Sequence, residues 1–146
     1  MKNNELEILM QFPRIIYMIM RKIMRGFHFS QYGLELNQTQ RRTLLILLNK
    51  GASSMTQLHD LVGLEKGSLT TVVDQLIAKT LVERRRNTRD RRKLDISLTS
   101  TGVKKAAILR KEIAGHVKRR LDRLTENDRR QFYQAVAILD DIMPKL

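Results

Sequence analysis

Around Gly63 the chain reads as two short apolar-striped segments meeting at a glycine, and no other feature constrains its fold as tightly. Leu58, Val62, Leu64, Leu69 and Val72 supply the stripes. Apolar residues at helical intervals on both sides of a residue that tolerates positive φ describe two helices closing over a shared core, a helix-turn-helix. The expected helices lie in MTQLHDLVG and LEKGSLTTVVDQLIAKT. Burying the apolar side of the second helix leaves Lys66, Ser68, Thr70, Thr71 and Gln75 on its outer face. Hydroxyls and amides on short side chains suit the base edges of a major groove, and a lysine at the helix start suits a phosphate.

Immediately downstream the charge becomes extreme. Between Lys79 and Lys93 stand eight cations, Lys79, Arg84, Arg85, Arg86, Arg89, Arg91, Arg92 and Lys93, against the two anions Glu83 and Asp90. The flanking pieces, Leu81 to Arg85 and Lys93 to Leu98, are compatible with β structure, and in the second Leu94, Ile96 and Leu98 alternate with Asp95 and Ser97. Strict alternation marks a half-buried strand. Two strands joined by residues 86–92 make a hairpin with a positive tip, a wing beside the helix-turn-helix. The order of the parts fits contact with duplex DNA in two grooves.

Composition narrows the partner. The chain has 146 residues, enough for one domain with a buried core, and carries a net charge of +13. Such an excess suits a polyanion, nucleic acid first. An anionic membrane surface would call for a basic amphipathic helix, whereas here the densest charge falls on a hairpin. The absence of cysteine removes disulfides and thiol switches, and His28, His59 and His116 are too scattered to suggest a zinc site. The expectation is therefore no metal and no cofactor. No glycine-rich phosphate loop, nucleophile elbow or metal triad supports an enzyme, so no catalytic residue is assigned. MKNNELEIL lacks the charged-then-apolar order of a signal peptide, which places the chain in the cytoplasm.

The ends of the chain read as long helices. Near the N-terminus Ile8, Leu9, Phe12, Ile15, Ile16, Ile19, Met20, Ile23, Met24 and Phe27 recur at helical spacing, and Met10, Tyr17 and Met18 widen the apolar coverage beyond one stripe. Pro13 implies that this helix begins later or kinks. Thr99 or Ser100 can cap a helix running through Ala107, Ala114, Val117 and Leu121; Thr125 can cap a last one bearing Phe132, Val136, Leu139 and Met143. One subunit would leave part of this surface wet, so a homodimer is expected, with Phe12, Ile16, Phe132, Val136, Leu139 and Met143 at its interface. The alternative is that these helices cover the monomer's own core. The division expected within a single domain is a core at 34–99 with dimerisation helices at 1–33 and 100–146.

Leu69-Thr70 with Val73 and Leu76, Leu81-Val82, Asp90-Arg91-Arg92, and Ile96-Ser97-Leu98-Thr99 with Gly102 together resemble the winged-helix core of the multiple antibiotic resistance regulator (MarR) family. The resemblance spans roughly residues 34 to 105. It implies a mainly α fold with a small β-hairpin wing, a homodimer on a pseudo-palindromic DNA operator, and a transcriptional regulator, most often a repressor released by a small molecule. It places the wing's Asp-x-Arg on Asp90 and Arg92, with Asp90 orienting Arg92 for the minor groove. A carboxylate two residues away can hold a guanidinium before binding and so reduce the entropy lost. Ligands of the family lodge between the dimerisation helices and the winged core, which makes Met24 to Tyr32, with Met24, His28 and Tyr32, the candidate wall for a small aromatic or amphipathic effector. The chain departs from the family pattern at Thr80, where a glycine usually ends the second helix, at His59 in place of alanine, at Arg41 in place of an aromatic residue, and at Asn87 in place of a wing aspartate. A positive φ is expected at Thr80; at His59 either the helix crossing is wider or the ring points outward, and a buried, satisfied histidine is expected before a functional one. An architectural or RNA-binding protein without sequence preference is the second functional reading; competition with unrelated DNA separates the two.

Overall fold

The computed structural model describes residues 3–30, 35–64, 66–88, 90 and 92–145. In chain order the elements are α1 (Asn3–Met24), α2 (Gln38–Lys50), β1 (Ser53–Ser54), α3 (Met55–Val62), α4 (Lys66–Ala78), β2 (Val82–Arg86), β3 (Leu94–Leu98), α5 (Ser100–Leu121), α6 (Glu126–Ile142) and a 3-10 turn, Met143–Lys145. They form two compact units, residues 28–112 and residues 1–27 with 113–146. The fold is mainly α with a small antiparallel sheet in the order β1-β3-β2.

In the 28–112 unit the core is a single cluster. Leu44 and Leu47 of α2, Leu58 and Val62 of α3, Leu69, Val73 and Leu76 of α4, Val82 and Ile96 of the sheet, and Ala106 and Leu109 of α5 are all buried. Their three- and four-residue spacing turns one face of each helix inward, and each buried aliphatic contributes on the order of 1.5 to 3 kcal/mol. Leu64 packs half-buried against them. Local chemistry sets the helix ends. Asn37 with Gln40 and Ser54 with Gln57 form capping boxes at the starts of α2 and α3. Gly63 closes α3 at φ 70°, the left-handed conformation expected of it. At the start of α5, Thr99 Oγ1 accepts from the Gly102 amide at 3.0 Å. The turn packs so closely there that a Cβ on Gly102 would lie 1.9 Å from the Leu81 carbonyl oxygen.

Thr80 takes φ 58°, as the missing glycine implied. Around it the Thr80 amide donates to Ile77 O at 2.8 Å and the Leu81 amide to Leu76 O at 3.0 Å, a Schellman closure of α4. A non-glycine residue in this conformation costs about 1–2 kcal/mol. The same closure uses Leu81 to finish the helix, so β2 begins at Val82, one residue later than the sequence implied. At the other end Arg86 pairs with Leu94, and the Asn87 amide donates to Lys93 O at 2.9 Å, so residues 87–93 rather than 86–92 form the loop. The alternation along β3 holds at Ile96, which is fully buried, and at Leu98, which is half-buried. It fails at Leu94, 52% exposed, because the hairpin there has run past the edge of the core. The two-residue β1, with Ser53 opposite Ile96, is too short to leave a sequence signature.

The unit of residues 1–27 and 113–146 is built differently. Helix α1 starts at Asn3 and continues through Pro13, so the later start expected from the proline does not occur. Its end is clasped from α5: His116, which is buried, lies with Nε2 2.9 Å from Ile23 O, Arg120 donates to Arg25 O, and Phe27 meets the His116 ring edge-on at 5.0 Å. These contacts serve carbonyls that a helix end leaves unpaired. Apolar coverage is poor beyond that point. Leu6, Ile8, Leu9, Met10, Phe12, Ile15, Ile16, Tyr17 and Met20 are each at least 40% exposed, and α6, capped by Thr125 as expected, buries no residue. Among the described residues no helix is long and apolar enough to cross a membrane.

Candidate nucleic-acid interface

Helix α4 buries Leu69, Val72, Val73 and Leu76, which turns Ser68, Thr70, Thr71 and Gln75 outward together with Asp74. Thr71 Oγ1 is 3.4 Å from Gly67 O. Gln75 is held from behind: its Oε1 accepts from Nε2 of the buried Gln40 at 2.9 Å. Lys66 begins the helix, with its side chain outside the described set. Four of the five residues read from the sequence as an outer face therefore share one.

Two residues that the sequence reading passed over sit among them. Asp74 accepts from Arg84 Nη2 at 2.5 Å, tying α4 to β2. Arg84, read from the sequence as one of the wing cations, is engaged in this pair. Arg84 comes ten positions after Asp74, beyond any intrahelical pairing rule, so only the folded hairpin reveals the partnership. Gln40 is the second of these residues. A capping-box pattern flags its backbone role, whereas its reach to Gln75 depends on packing between helices.

The wing tip is knitted by short polar side chains. Asn87 Nδ2 donates to Asp95 Oδ2 at 2.7 Å, and Asn87 Oδ1 accepts from the Asp90 amide at 2.9 Å. Asp90 Oδ1 then accepts from the Arg92 amide at 3.1 Å, and its Oδ2 lies 3.9 Å from Lys93 Nζ. Asp90 thus fixes the backbone of Arg92, not its guanidinium as the resemblance implied. With the main chain pinned, the Arg92 side chain is exposed and has no carboxylate partner among the described residues. Arg86 and Lys93 are exposed as well, while Arg85 pairs with Glu83 of its own strand at 2.5 Å. Arg89 and Arg91 lie outside the described residues. Asn87, which replaces the usual wing aspartate, does the work of a turn-forming Asx residue in the loop.

The other departures have local answers. Arg41 places its guanidinium over the Phe29 ring at 4.4 Å and donates to the Leu36 carbonyl, a cation–π contact in place of an aromatic packing residue. His59 is half-buried, with Nδ1 3.3 Å from Asp60 Oδ1, which fits the outward-pointing ring rather than a histidine buried in the core. Of the segment expected to line an effector site, Met24 is half-buried and His28 exposed, and Tyr32 falls outside the described residues. A mostly apolar cleft of about 390 Å³ lies elsewhere, within the unit of residues 1–27 and 113–146. Its walls include Ile15, Met18, Ile19 and Ile23 of α1, Leu121 of α5, and Phe132 of α6. No group of His, Asp or Glu among the described residues could hold a metal ion.

The model of the MarR family matches residues 36–94, from α2 through the wing. Over 76 residues the chain is 36% identical to the HTH-type transcriptional regulator MhqR of Bacillus subtilis. Through this core the chain is similar to the MarR family. The alignment covers 52% of this chain and 51% of MhqR, so the chain spans about half the length of that relative. RV1404 of Mycobacterium tuberculosis shares the fold over 99% of this chain and 96% of its own, with a TM-score of 0.70 at 20% identity. BpsR of Bordetella bronchiseptica, whose DNA binding is regulated by 6-hydroxynicotinic acid, aligns with a TM-score of 0.62 at 17% identity, over 90% of this chain and 98% of its own. The MarR-family match takes in both the outer face of α4 and the wing as far as Leu94, so the two candidate contact surfaces lie within it.

Proposed function

We propose that this chain is a homodimeric, sequence-specific, duplex-DNA-binding transcriptional regulator, a repressor released by a small ligand. The observation that carries the reading is the pairing, on one rigid core, of an outward polar helix face with a hairpin whose tip offers Arg86, Arg92 and Lys93. In each subunit α4 enters a major groove and Arg92 reaches an adjacent minor groove, where the narrow, negative channel favours a guanidinium. Ser68, Thr70, Thr71 and Gln75 meet base edges, whereas the wing cations and Lys66 meet backbone phosphates, so the helix specifies and the wing positions.

Two-fold symmetry follows from the uncovered apolar faces of α1 and α6. The cleft between them takes α6 of a second copy: Val136, Leu139 and Met143 suit its apolar walls, and Asp140 and Asp141 suit the Arg14, Lys22 and Arg123 that border it. A two-fold protein requires a near-palindrome with half-sites about 10 base pairs apart. The effector reading draws on BpsR, a structural neighbour whose DNA binding 6-hydroxynicotinic acid regulates, and the segment from Met24 to Tyr32 is the proposed contact. A ligand preferring a conformation that misplaces the two α4 helices weakens DNA binding by linkage.

Selection from a randomised duplex library tests the reading. Enrichment of a near-palindrome supports it; uniform recovery of unrelated sequences favours the architectural alternative instead. Aromatic carboxylates screened against the enriched duplex then test release.

A further inference from the structure

We propose that Gln40, buried behind the DNA-facing helix, is a positioning residue that makes Gln75 a hydrogen-bond donor toward DNA and so sets the base edge that Gln75 can read. The inference rests on the DNA-binding function above. The Asn37 N–H can only donate, and it points at the Gln40 carboxamide at 3.0 Å, so the Gln40 atom facing it must be Oε1. The Gln40 amide in turn donates to Asn37 Oδ1 at 2.8 Å, which locks the reciprocal cap. With Oε1 committed, Nε2 of Gln40 faces Gln75 and can only donate, so the Gln75 atom 2.9 Å away must be its Oε1. The Gln75 NH₂ is what remains to face outward, and it has no acceptor among the described residues.

An amide group can ordinarily rotate to suit either a donor or an acceptor, and glutamine reads adenine by using both atoms at once. Here one atom is engaged from behind by a residue that is only 5% exposed. Gln75 is therefore matched to acceptors: guanine O6 and N7, thymine O4, or adenine N7. Turning it over would set two NH₂ groups against each other in a buried place, leaving donors unpaired.

Gln40→Glu separates this role from helix capping. Glutamate at this position still accepts from the Asn37 amide and is a normal capping-box residue, but it has no proton to give Gln75. Gln75 then turns its NH₂ inward to the carboxylate and presents Oε1 to the groove, matched to adenine N6 or cytosine N4. Duplexes enriched from a randomised library by the full-length wild type, Gln40→Glu, Gln75→Leu and Gln40→Glu/Gln75→Leu measure the outcome. The wild type should prefer guanine or thymine over cytosine by about fivefold at the position within reach of Gln75, Gln40→Glu should reverse the preference, and Gln75→Leu should erase it. In the double variant the glutamate should weaken binding to all sequences alike. If Gln40→Glu does not fold, as judged by thermal denaturation, the Gln75→Leu comparison decides alone: a preference lost at an acceptor edge supports the proposal, and one lost at a donor edge overturns it. Identical preferences in the wild type and a folded Gln40→Glu overturn the relay while leaving DNA recognition intact. Failure of the wild type to enrich any sequence overturns the DNA-binding function and this proposal with it.

Discussion

Leu44 and Leu139 are the same residue on two amphipathic helices, one of them fully buried in α2 and the other 39% exposed on α6. The difference holds across their two units. From Leu36 to Leu109 the apolar side chains of α2 to α5 and the sheet close on one another, leaving a polar face and a cationic wing outward. Along α1 and α6 the apolar side chains are as dense, yet most stay in contact with solvent. Burial, not composition, separates a unit that covers its own apolar side chains from one that leaves them exposed. Under the proposed function, the first unit carries the reading groups and the exposed helices of the second carry the contact with another copy.

If the contrast is right, equivalent substitutions in the two units should fail in different ways. Leu44→Ala should remove about 2–5 kcal/mol of stability in denaturant unfolding, because a filled site becomes a cavity. Leu139→Lys should act on association, each lost buried aliphatic being worth on the order of 1.5 to 3 kcal/mol. Sedimentation across a dilution series should show monomers or aggregates; a dimer of wild-type affinity would place the interface elsewhere. Arg92→Ala should leave thermal stability unchanged and weaken operator binding by about 1–3 kcal/mol. Asp90→Ala should lose part of that affinity by freeing the Arg92 backbone.

How much of this was legible in the sequence depended on how local the determinant was. The turn at Gly63 and the Thr125 cap could be read because each depends on residues within one turn of helix, whereas the positive φ at Thr80 was legible only through the resemblance to a family that usually has glycine there. Leu94 was misread because alternation reports which side of the sheet a residue faces, not whether core lies beneath it. The Asp74–Arg84 pair and the Gln40–Gln75 bond were invisible because each joins elements whose approach no periodicity encodes. Asp90 accepts from the Arg92 amide rather than its guanidinium because the spacing of Asp-x-Arg brings a carboxylate to a backbone amide as readily as to a guanidinium.

Two smaller effects sharpen the contrast further. Thr80→Gly should stabilise the core by up to about 1 kcal/mol, left-handed strain being relieved against greater freedom of the unfolded chain, and should raise the melting temperature. In the other unit, Lys118 and, less strongly, Arg129 hold the Asp122 carboxyl below its ordinary range. A depressed carboxyl contributes stability that is present above its unfolded value and lost as pH falls through the folded one. Acid titration of Asp122→Asn against the wild type should therefore show a slightly smaller loss of stability below about pH 4, the variant being slightly less stable at neutral pH and the two converging in acid.

The central claim is that a self-sufficient core reads sequence while a second copy sets the spacing. The most direct measurement is the affinity of the full-length protein for its best enriched duplex and for a scrambled duplex of equal length, at one physiological salt concentration, with two chains counted per duplex. A ratio of about 10³ or more, lost when the half-sites are moved apart by five base pairs, is the predicted result. Equal affinity for both duplexes, or indifference to the spacing, would contradict it.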